Sequence, residues 1–227
     1  MNPYEIEICI ETLAAAKGAQ QMGADRVELC SQLEKDGLTP SEELLKAVRS
    51  AVDIGVFVMI RPREGHFHYA AAEVQVMLQQ IHQAYSLGAD GIVAGCLTPE
   101  GNLDEDTLVR LLEATGDLSF TFHRAFDVCR SPIKVARRLE AVGVQRLLSS
   151  GQRPKAIQGI ALLQTLQKEC KSMGIMAGSG VNGTNVSDLA ATGIQQFHFT
   201  AHRMGTDGVQ YFDADKVRQV NQQLGRK

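Results

Sequence analysis

The segment TFHRAFD, residues 121–127, brings together side chains that can exchange protons at the predicted end of a strand. A histidine with an ordinary pKa near neutrality, such as His123, can act as a general acid or base. Asp127, four residues further on, or Glu28, near the end of another predicted strand, could orient the imidazole ring or take the complementary proton role. The sequence therefore predicts His123, Glu28 and Asp127 as candidate catalytic residues.

Three arginines, Arg61, Arg63 and Arg124, also lie at or near predicted strand ends. A pair of guanidinium groups can hold a carboxylate or a phosphate through fork-shaped hydrogen bonds. We therefore predict these arginines as binding residues for a small anionic metabolite. Arg124 has an alternative role, because its side chain could instead hold the loop that carries Asp127.

Gly178, Ser179 and Gly180 open the run GSGVNGTN, which follows the predicted seventh strand. Many barrels bind phosphate on backbone N–H groups at this place in the chain. These three residues are therefore predicted to contribute to binding of the same anionic substrate. The alternative is a tight strand-to-helix turn, which also uses small residues.

The five cysteines are odd in number, scattered and without a Cys-x-x-Cys pair, which is typical of a reducing compartment rather than a disulfide framework. Cys9 and Cys30 fall on neighbouring predicted strands and in the same inward phase. Two thiolates suit Cu(I), a soft cation, and this pair is a candidate metal site. The alternative is that both pack as small hydrophobic side chains. His66 and His68 lack a third ligand, so no zinc site is expected.

Composition limits the class of protein. The chain has 227 residues, 44% of them hydrophobic and 22% charged, with a net charge of -3 and a pI near 6.1. These values give no electrostatic case for a nucleic acid or membrane partner. The amino-terminal MNPYEIE is no signal peptide, so a cytoplasmic location is expected. No organic cofactor is predicted.

A repeated sequence pattern at the ends of the predicted helices indicates the fold. Four times a predicted helix ends at a glycine, and an apolar strand begins shortly afterwards; these glycines are Gly23, Gly88, Gly143 and Gly193. Eight strands are predicted, at about residues 4–10, 26–30, 56–62, 91–97, 119–125, 146–151, 174–180 and 196–201. A single-domain α/β fold over residues 1–227, a TIM-type (β/α)8 barrel, fits best, with a doubly wound open sheet as the alternative.

Several predicted strands alternate between apolar and polar residues, although parallel strands are usually apolar throughout. We expect the apolar phase to meet the helices and the polar phase to fill the lumen, where it would place Glu7, Glu28, Arg61, His123 and His198. Such buried charges must pair with one another or with a ligand. The sequence therefore leaves two interpretations, an internal ion network that satisfies itself and a functional pocket.

The following segments resemble the CutC family and occur in the family's order: EICIET, GADRVELCSQLEKDGLTPS, VFVMIRPREGHFHY, GADGIVAGCL with EGNLD, FTFHRAFDVCRSP, RLLSSGQ, and IMAGSGVNGTN followed by FHFTA. The resemblance implies a TIM-type barrel that forms homo-oligomers and serves copper homeostasis. Cys9 and Cys30 match the proposed copper-binding cysteines of that family. An enzyme that acts on a small anionic metabolite by acid–base catalysis remains the alternative function.

This sequence departs from the family pattern at three places. Lys35-Asp36-Gly37 replaces the usual glycine pair before LTPS, and Glu64 and His66 replace a glycine and an aspartate. The segment after His198, AHRMGTDGVQYFD, is shorter than usual. We expect it to lie over the strand ends, where it would affect ligand specificity.

Overall fold

A computed structural model describes residues 2–206 and 208–226. Eight parallel strands close into a barrel in chain order, and β8 pairs with β1. The strands are β1 Glu5–Ile10, β2 Arg26–Leu29, β3 Gly55–Met59, β4 Gly91–Ala94, β5 Ser119–Phe122, β6 Arg146–Ser149, β7 Gly174–Ala177 and β8 Gln196–Thr200. The TIM-type (β/α)8 barrel is thus confirmed, and closure between β8 and β1 excludes the open sheet.

Helices cover the outside of the barrel: α1 Leu13–Gln21, α2 Glu42–Arg49, α3 Ala71–Ser86, α4 Glu105–Thr115, α5 Pro132–Ala141, α6 Ile160–Glu169, α7 Val186–Ala190 and α8 Ala214–Gln223. The four glycines predicted to end helices all have positive φ, between 77° and 93°. A residue with a Cβ adopts this conformation at a cost, so glycine allows each chain reversal before the next strand.

The strand phases are as predicted. Ile6, Ile8, Phe120, Phe122 and Phe197 are fully buried in the main hydrophobic core. The polar phase fills the lumen, and its side chains are also buried, including Glu7, Glu28, Arg61, His123 and His198. Apolar side chains therefore attach the sheet to its helices, while charged side chains pack inside the barrel.

Most strands end one to three residues earlier than the sequence predicts, because the chain turns into loops at the barrel mouth. The prediction extended strand five to residue 125, whereas β5 ends at Phe122. His123 instead precedes a short 3₁₀ segment, Arg124–Val128, and its Nδ1 accepts the Ala125 N–H at 3.1 Å. This cap fixes the imidazole ring at the strand end.

The short segment after β8 folds into an antiparallel hairpin of β9 His202–Met204 and β10 Gln210–Phe212. His202, Met204 and Gln210 border a cavity at the carboxyl ends of the strands. The segment therefore lies over the strand ends, as expected. Within residues 2–206 and 208–226, no helix combines the length and apolar character that crossing a membrane requires.

Candidate functional site

A cavity of ≈ 640 Å³ lies at the barrel mouth, where TIM-type barrels carry their sites. Its walls are partly apolar, with contributions from Leu33, Met59, Phe67, Leu148 and Phe199. Polar side chains at or near several strand ends also line it, among them Cys9, Glu28, Arg61, His123, Arg124, Asp127 and His198. An apolar pocket with a few convergent polar groups is typical of a small-molecule site.

Cys9 on β1 and Cys30 just beyond β2 lie side by side in the wall of the barrel. The parallel register pairs Cys9 with Glu28, which brings the following inward residue, Cys30, beside Cys9. Their sulfur atoms are 3.7 Å apart, and both side chains are buried. Phe57 and Met59 pack against them in a small apolar cluster. Both cysteines therefore face into the barrel, as predicted, and their side chains lie close together.

Both thiols hold their protons strongly. The hydrogen bond with Cys30 and burial raise the pKa of Cys9 well above its usual value. For Cys30, the hydrogen bond with Cys9 favours the thiolate, but burial and the Glu28 carboxylate outweigh it and raise the pKa to about 12. At neutral pH the free protein therefore carries two thiols, and a metal ion must displace their protons to bind.

Glu28 and His198 lie next to the cysteine pair. The Cys30 sulfur is 3.5 Å from Glu28 Oε2, and His198 Nε2 is 3.7 Å from the same oxygen. Glu28 Oε1 is buried and has no hydrogen-bond partner among the described residues. The donor atoms of Cys9, Glu28 and Cys30 lie within 4.8 Å of one another. The three side chains could therefore contact one metal ion.

His198 is held between carboxylates. Its Nδ1 is 2.8 Å from Oε1 of Glu7, and the other oxygen of Glu7, Oε2, accepts a hydrogen bond from Arg26 Nε at 2.6 Å. Burial disfavours the imidazolium, but Glu28 and Glu7 outweigh burial and raise the pKa of His198 well above its usual value. Burial also raises the pKa of Glu28, against the opposing charge of His198. The donor atoms of Glu7, Glu28 and His198 also lie within 4.8 Å of one another. Because Arg26 and His198 already occupy Glu7, the set that contains the two thiols suits a soft metal better.

His123 has an environment that the sequence could not reveal. Burial first, and then the positive charge of Arg61, lower its pKa to about 3. The expectation of an ordinary pKa near neutrality is therefore corrected: the ring is neutral at physiological pH. Since Nδ1 accepts the Ala125 N–H, the proton is on Nε2. This Nε2–H is buried and has no partner among the described residues.

Arg61 is buried at the cavity wall, with 4% of its surface exposed. Its Nη1 donates to the carbonyl oxygens of residues 35, 36 and 37 at 2.8, 3.3 and 3.2 Å, and its Nη2 donates to the Gly65 carbonyl at 3.1 Å. Its Nε is buried without a partner, and no carboxylate of residues 2–206 or 208–226 forms an ion pair with it. The side chain thus fastens two loops while its charge stays uncompensated.

Asp127 is the anchor of the loop that follows β6. Its carboxylate accepts hydrogen bonds from Arg124 Nε at 2.8 Å, Ser149 Oγ at 2.6 Å, Ser150 N at 3.0 Å and Gln152 N at 3.2 Å. These donors occupy the lone pairs of both oxygens. The alternative for Arg124, that it holds the loop with Asp127, matches this geometry, although both side chains also border the cavity.

Two other predicted substrate-binding residues, Arg63 and Gly178, are not among the residues that line the cavity. Arg63 forms an ion pair with Glu73 at 2.5 Å and donates to the His68 carbonyl. Gly178 packs against Leu148, where a Cβ would approach to 2.4 Å, so the glycine serves close packing. Ser179 and Gly180 do border the cavity, and the Ser179 hydroxyl donates to the Pro154 carbonyl at 2.7 Å.

Several cavity residues were missed from the sequence. Phe67 contacts both the Arg61 guanidinium and the His123 ring, with 5.0 Å separations in each case. It lies between His66 and His68, whose rings stack 4.1 Å apart, and an isolated phenylalanine there carries no functional signal. Leu33 belongs to a loop whose pattern carried no signal.

Comparison with known proteins places the chain in a family. A family model described as the CutC family matches residues 4–203. A protein named family protein CutC from Bacteroides thetaiotaomicron is 42% identical over 214 residues, which cover 93% of this chain and 86% of that protein. The chain belongs to the CutC family. The catalytic roles predicted for His123, Glu28 and Asp127 stay predictions within it.

Solved structures agree on the fold. A CutC protein from Streptococcus agalactiae, named provisionally for copper homeostasis, superposes with a TM-score of 0.83 and 33% identity, covering 87% of this chain and 98% of that chain. Thiamine phosphate pyrophosphorylase from Pyrococcus furiosus has a TM-score of 0.67 at 16% identity, covering 99% and 96% of the two chains. The second likeness concerns the barrel fold alone.

Proposed function

We propose that this CutC-family protein serves copper homeostasis by binding Cu(I) through Cys9 and Cys30. The observation that carries the proposal is the pair of buried sulfur atoms 3.7 Å apart beside the cavity. Thiolates are the ligands that Cu(I) prefers, and scattered free cysteines are typical of the reducing conditions under which Cu(I) persists. The name of the Streptococcus agalactiae relative agrees with this function.

The carboxyl group of Glu28, next to the cysteine pair, can accept a proton that Cu(I) must displace. The Cys30 sulfur lies 3.5 Å from a Glu28 oxygen, and the other Glu28 oxygen has no partner among the described residues. Glu28 therefore offers a short route for a thiol proton to leave. Phe57 and Met59 pack against the two cysteines, so part of the surroundings of the sulfur atoms is apolar.

The test is Cu(I) titration of reduced, metal-free protein against a chromophoric Cu(I) chelator. Wild type is expected to take one Cu(I) per chain from the chelator, and the double variant Cys9→Ser/Cys30→Ser to take none. Cys170→Ser is the matched control, because Cys170 is also buried but lies at the end of α6. Equal copper uptake by wild type and the double variant would refute the proposal.

The alternative function, acid–base catalysis on a small anionic metabolite, remains a prediction. With a pKa of about 3, His123 is not protonated at physiological pH, so it is only a weak base and cannot act as a general acid. The oxygens of Asp127 are already occupied by hydrogen bonds. Glu28, with its raised pKa and free oxygen, is the carboxyl group best suited to such a role.

A further inference from the structure

The barrel mouth contains a buried cation that has no anionic partner among the residues that the structure describes. Arg61 is 4% exposed, and its hydrogen bonds go to neutral carbonyl groups in the 35–37 loop and at Gly65. Burying a guanidinium charge without a counter-charge is costly, unless a ligand supplies the missing charge. Arg61 borders the cavity, where such a ligand would have access to it.

His123 supplies a second hydrogen-bond donor nearby. The guanidinium carbon of Arg61 and the His123 ring centroid each lie 5.0 Å from the Phe67 ring. Arg61 Nε and His123 Nε2 are both buried donors without a partner among the described residues. A neutral imidazole N–H and a guanidinium N–H that flank one aromatic ring suit the oxygen atoms of a carboxylate or phosphate group.

The other charged groups that line the cavity do not meet this need. Glu28 lies beside His198, and Asp127 is bonded to Arg124. The two remaining acidic lining residues, Glu34 and Asp36, are exposed and make no ion pair with Arg61. None of these carboxylates forms an ion pair with Arg61, so its charge is available to an anionic ligand.

The rest of the cavity has room for an organic body. Its volume of ≈ 640 Å³ far exceeds that of an inorganic anion, and Leu33, Met59, Leu148 and Phe199 provide apolar surface. We infer that the cavity binds an organic anion, with its carboxylate or phosphate group on Arg61 and His123 and its apolar part against these side chains. The anionic group in this inference uses neither of the cysteines that the proposed Cu(I) site uses.

The test uses thermal shift and calorimetry on reduced, metal-free protein at fixed ionic strength, with four probes: inorganic phosphate, phenyl phosphate, phenylacetate and the neutral benzyl alcohol. Phenyl phosphate or phenylacetate at millimolar concentration is expected to raise the melting temperature, and benzyl alcohol is not. Inorganic phosphate is expected to bind more weakly because it lacks the apolar part. If neither organic anion binds, or benzyl alcohol binds equally well, the inference is overturned.

Two variants locate the site. Arg61→Gln is expected to weaken binding of the organic anion about 10- to 100-fold, the loss of a charge-assisted hydrogen bond. His123→Asn retains an acceptor for the Ala125 N–H but withdraws the Nε2–H, so it tests the site even if Arg61→Gln unfolds the 35–37 loop. Arg63→Gln is the matched control and should bind like wild type. Unchanged affinity in His123→Asn and in folded Arg61→Gln would contradict the inference.

Cysteine variants separate this site from the copper proposal. Cys9→Ser/Cys30→Ser is expected to bind the organic anions with the affinity of wild type. Loss of anion binding in that double variant, with Arg61 and His123 intact, would place the anion on the cysteine side of the cavity and contradict the inference. Loss of Cu(I) alone leaves it standing.

Discussion

The two halves of the barrel lumen carry the same kinds of side chain but satisfy them differently. In the half of the lumen that lies at the amino ends of the strands, Arg26 donates to Glu7 at 2.6 Å and to Glu5 at 2.7 Å. Arg146 donates to Thr121 at 3.0 Å, also toward the interior. Arg26 is thus paired with two carboxylates, and Arg146 is bonded to the neutral side chains of Thr121 and Gln196, so this half of the lumen forms a hydrogen-bonded structural network.

In the other half of the lumen, at the carboxyl ends of the strands, some buried polar atoms lack hydrogen-bond partners among the described residues. Glu28 Oε1, Arg61 Nε and His123 Nε2 all lack a hydrogen bond among the described residues, and all three side chains border the cavity. Buried polar groups in folded proteins are nearly always satisfied, so atoms of this kind point to a ligand or to ordered water. The two interpretations of a polar lumen, ion network and binding pocket, therefore both apply, one in each half.

The largest expected effect comes from breaking the hydrogen-bonded network. Glu7→Gln leaves Arg26 with only the half-exposed Glu5 as a charged partner and should lower the free energy of unfolding by about 3–5 kcal/mol. Urea unfolding followed by circular dichroism measures it. Glu5→Gln, whose side chain is 47% exposed, is the control and should cost less than about 1 kcal/mol. Equal costs would mean that the network is not specially stabilising.

The same network predicts acid sensitivity. Burial disfavours the Glu7 carboxylate, but Arg26 and His198 outweigh burial and lower the pKa to about 2. A lowered pKa in the folded state contributes stability above the unfolded value of 4.5, and this stability is lost as the pH falls from there toward 2. The unfolding free energy of wild type should therefore fall more steeply over this range than that of Glu7→Gln. Parallel curves would contradict the assignment.

A smaller effect is expected at the loop after β6. Asp127→Asn removes the charge that holds the Ser150 and Gln152 amides, at a cost of about 1–3 kcal/mol. Hydrogen exchange at these two amides should speed up with it. Arg124→Gln should cost less, since the Arg124 side chain is 40% exposed. Unchanged exchange in Asp127→Asn would show that the loop is held by other contacts.

The smallest effect is expected outside the lumen. Arg63 and Glu73 form an ion pair in which each side chain is 30% exposed. Arg63→Gln should lower the unfolding free energy by less than about 1 kcal/mol, because solvent screens the pair. Thermal unfolding at low and high salt measures it. A cost comparable with that of Glu7→Gln would remove the distinction between lumen and surface.

The sequence predicts the barrel well because its information is local and repeated. Glycines such as Gly23 end the helices, and alternation of Ile6 and Ile8 with Glu5 and Glu7 identifies the inner and outer faces. The inward phase of Cys9 also follows from this alternation. These features depend on neighbours a few residues away, and a single sequence displays them.

The site is less predictable because its properties depend on residues distant in sequence. The lowered pKa of His123 results from burial and from Arg61, two strands away. The bonds from Arg61 to the 35–37 loop depend on a loop path that no periodicity encodes. The carboxylate of Asp127 is occupied by hydrogen bonds from Ser149 and from the backbone that follows it. Residue type can nominate such groups, but the contacts decide their chemistry.

The most direct test of the central claim is anomalous diffraction at the copper edge from crystals of the reduced protein loaded with Cu(I). A single peak between the sulfur atoms of Cys9 and Cys30, absent from the double serine variant, is the predicted result. A copper peak elsewhere, such as at the stacked His66 and His68, would contradict Cu(I) binding by the cysteine pair. The absence of any copper peak while both cysteines remain as thiols would contradict it as well.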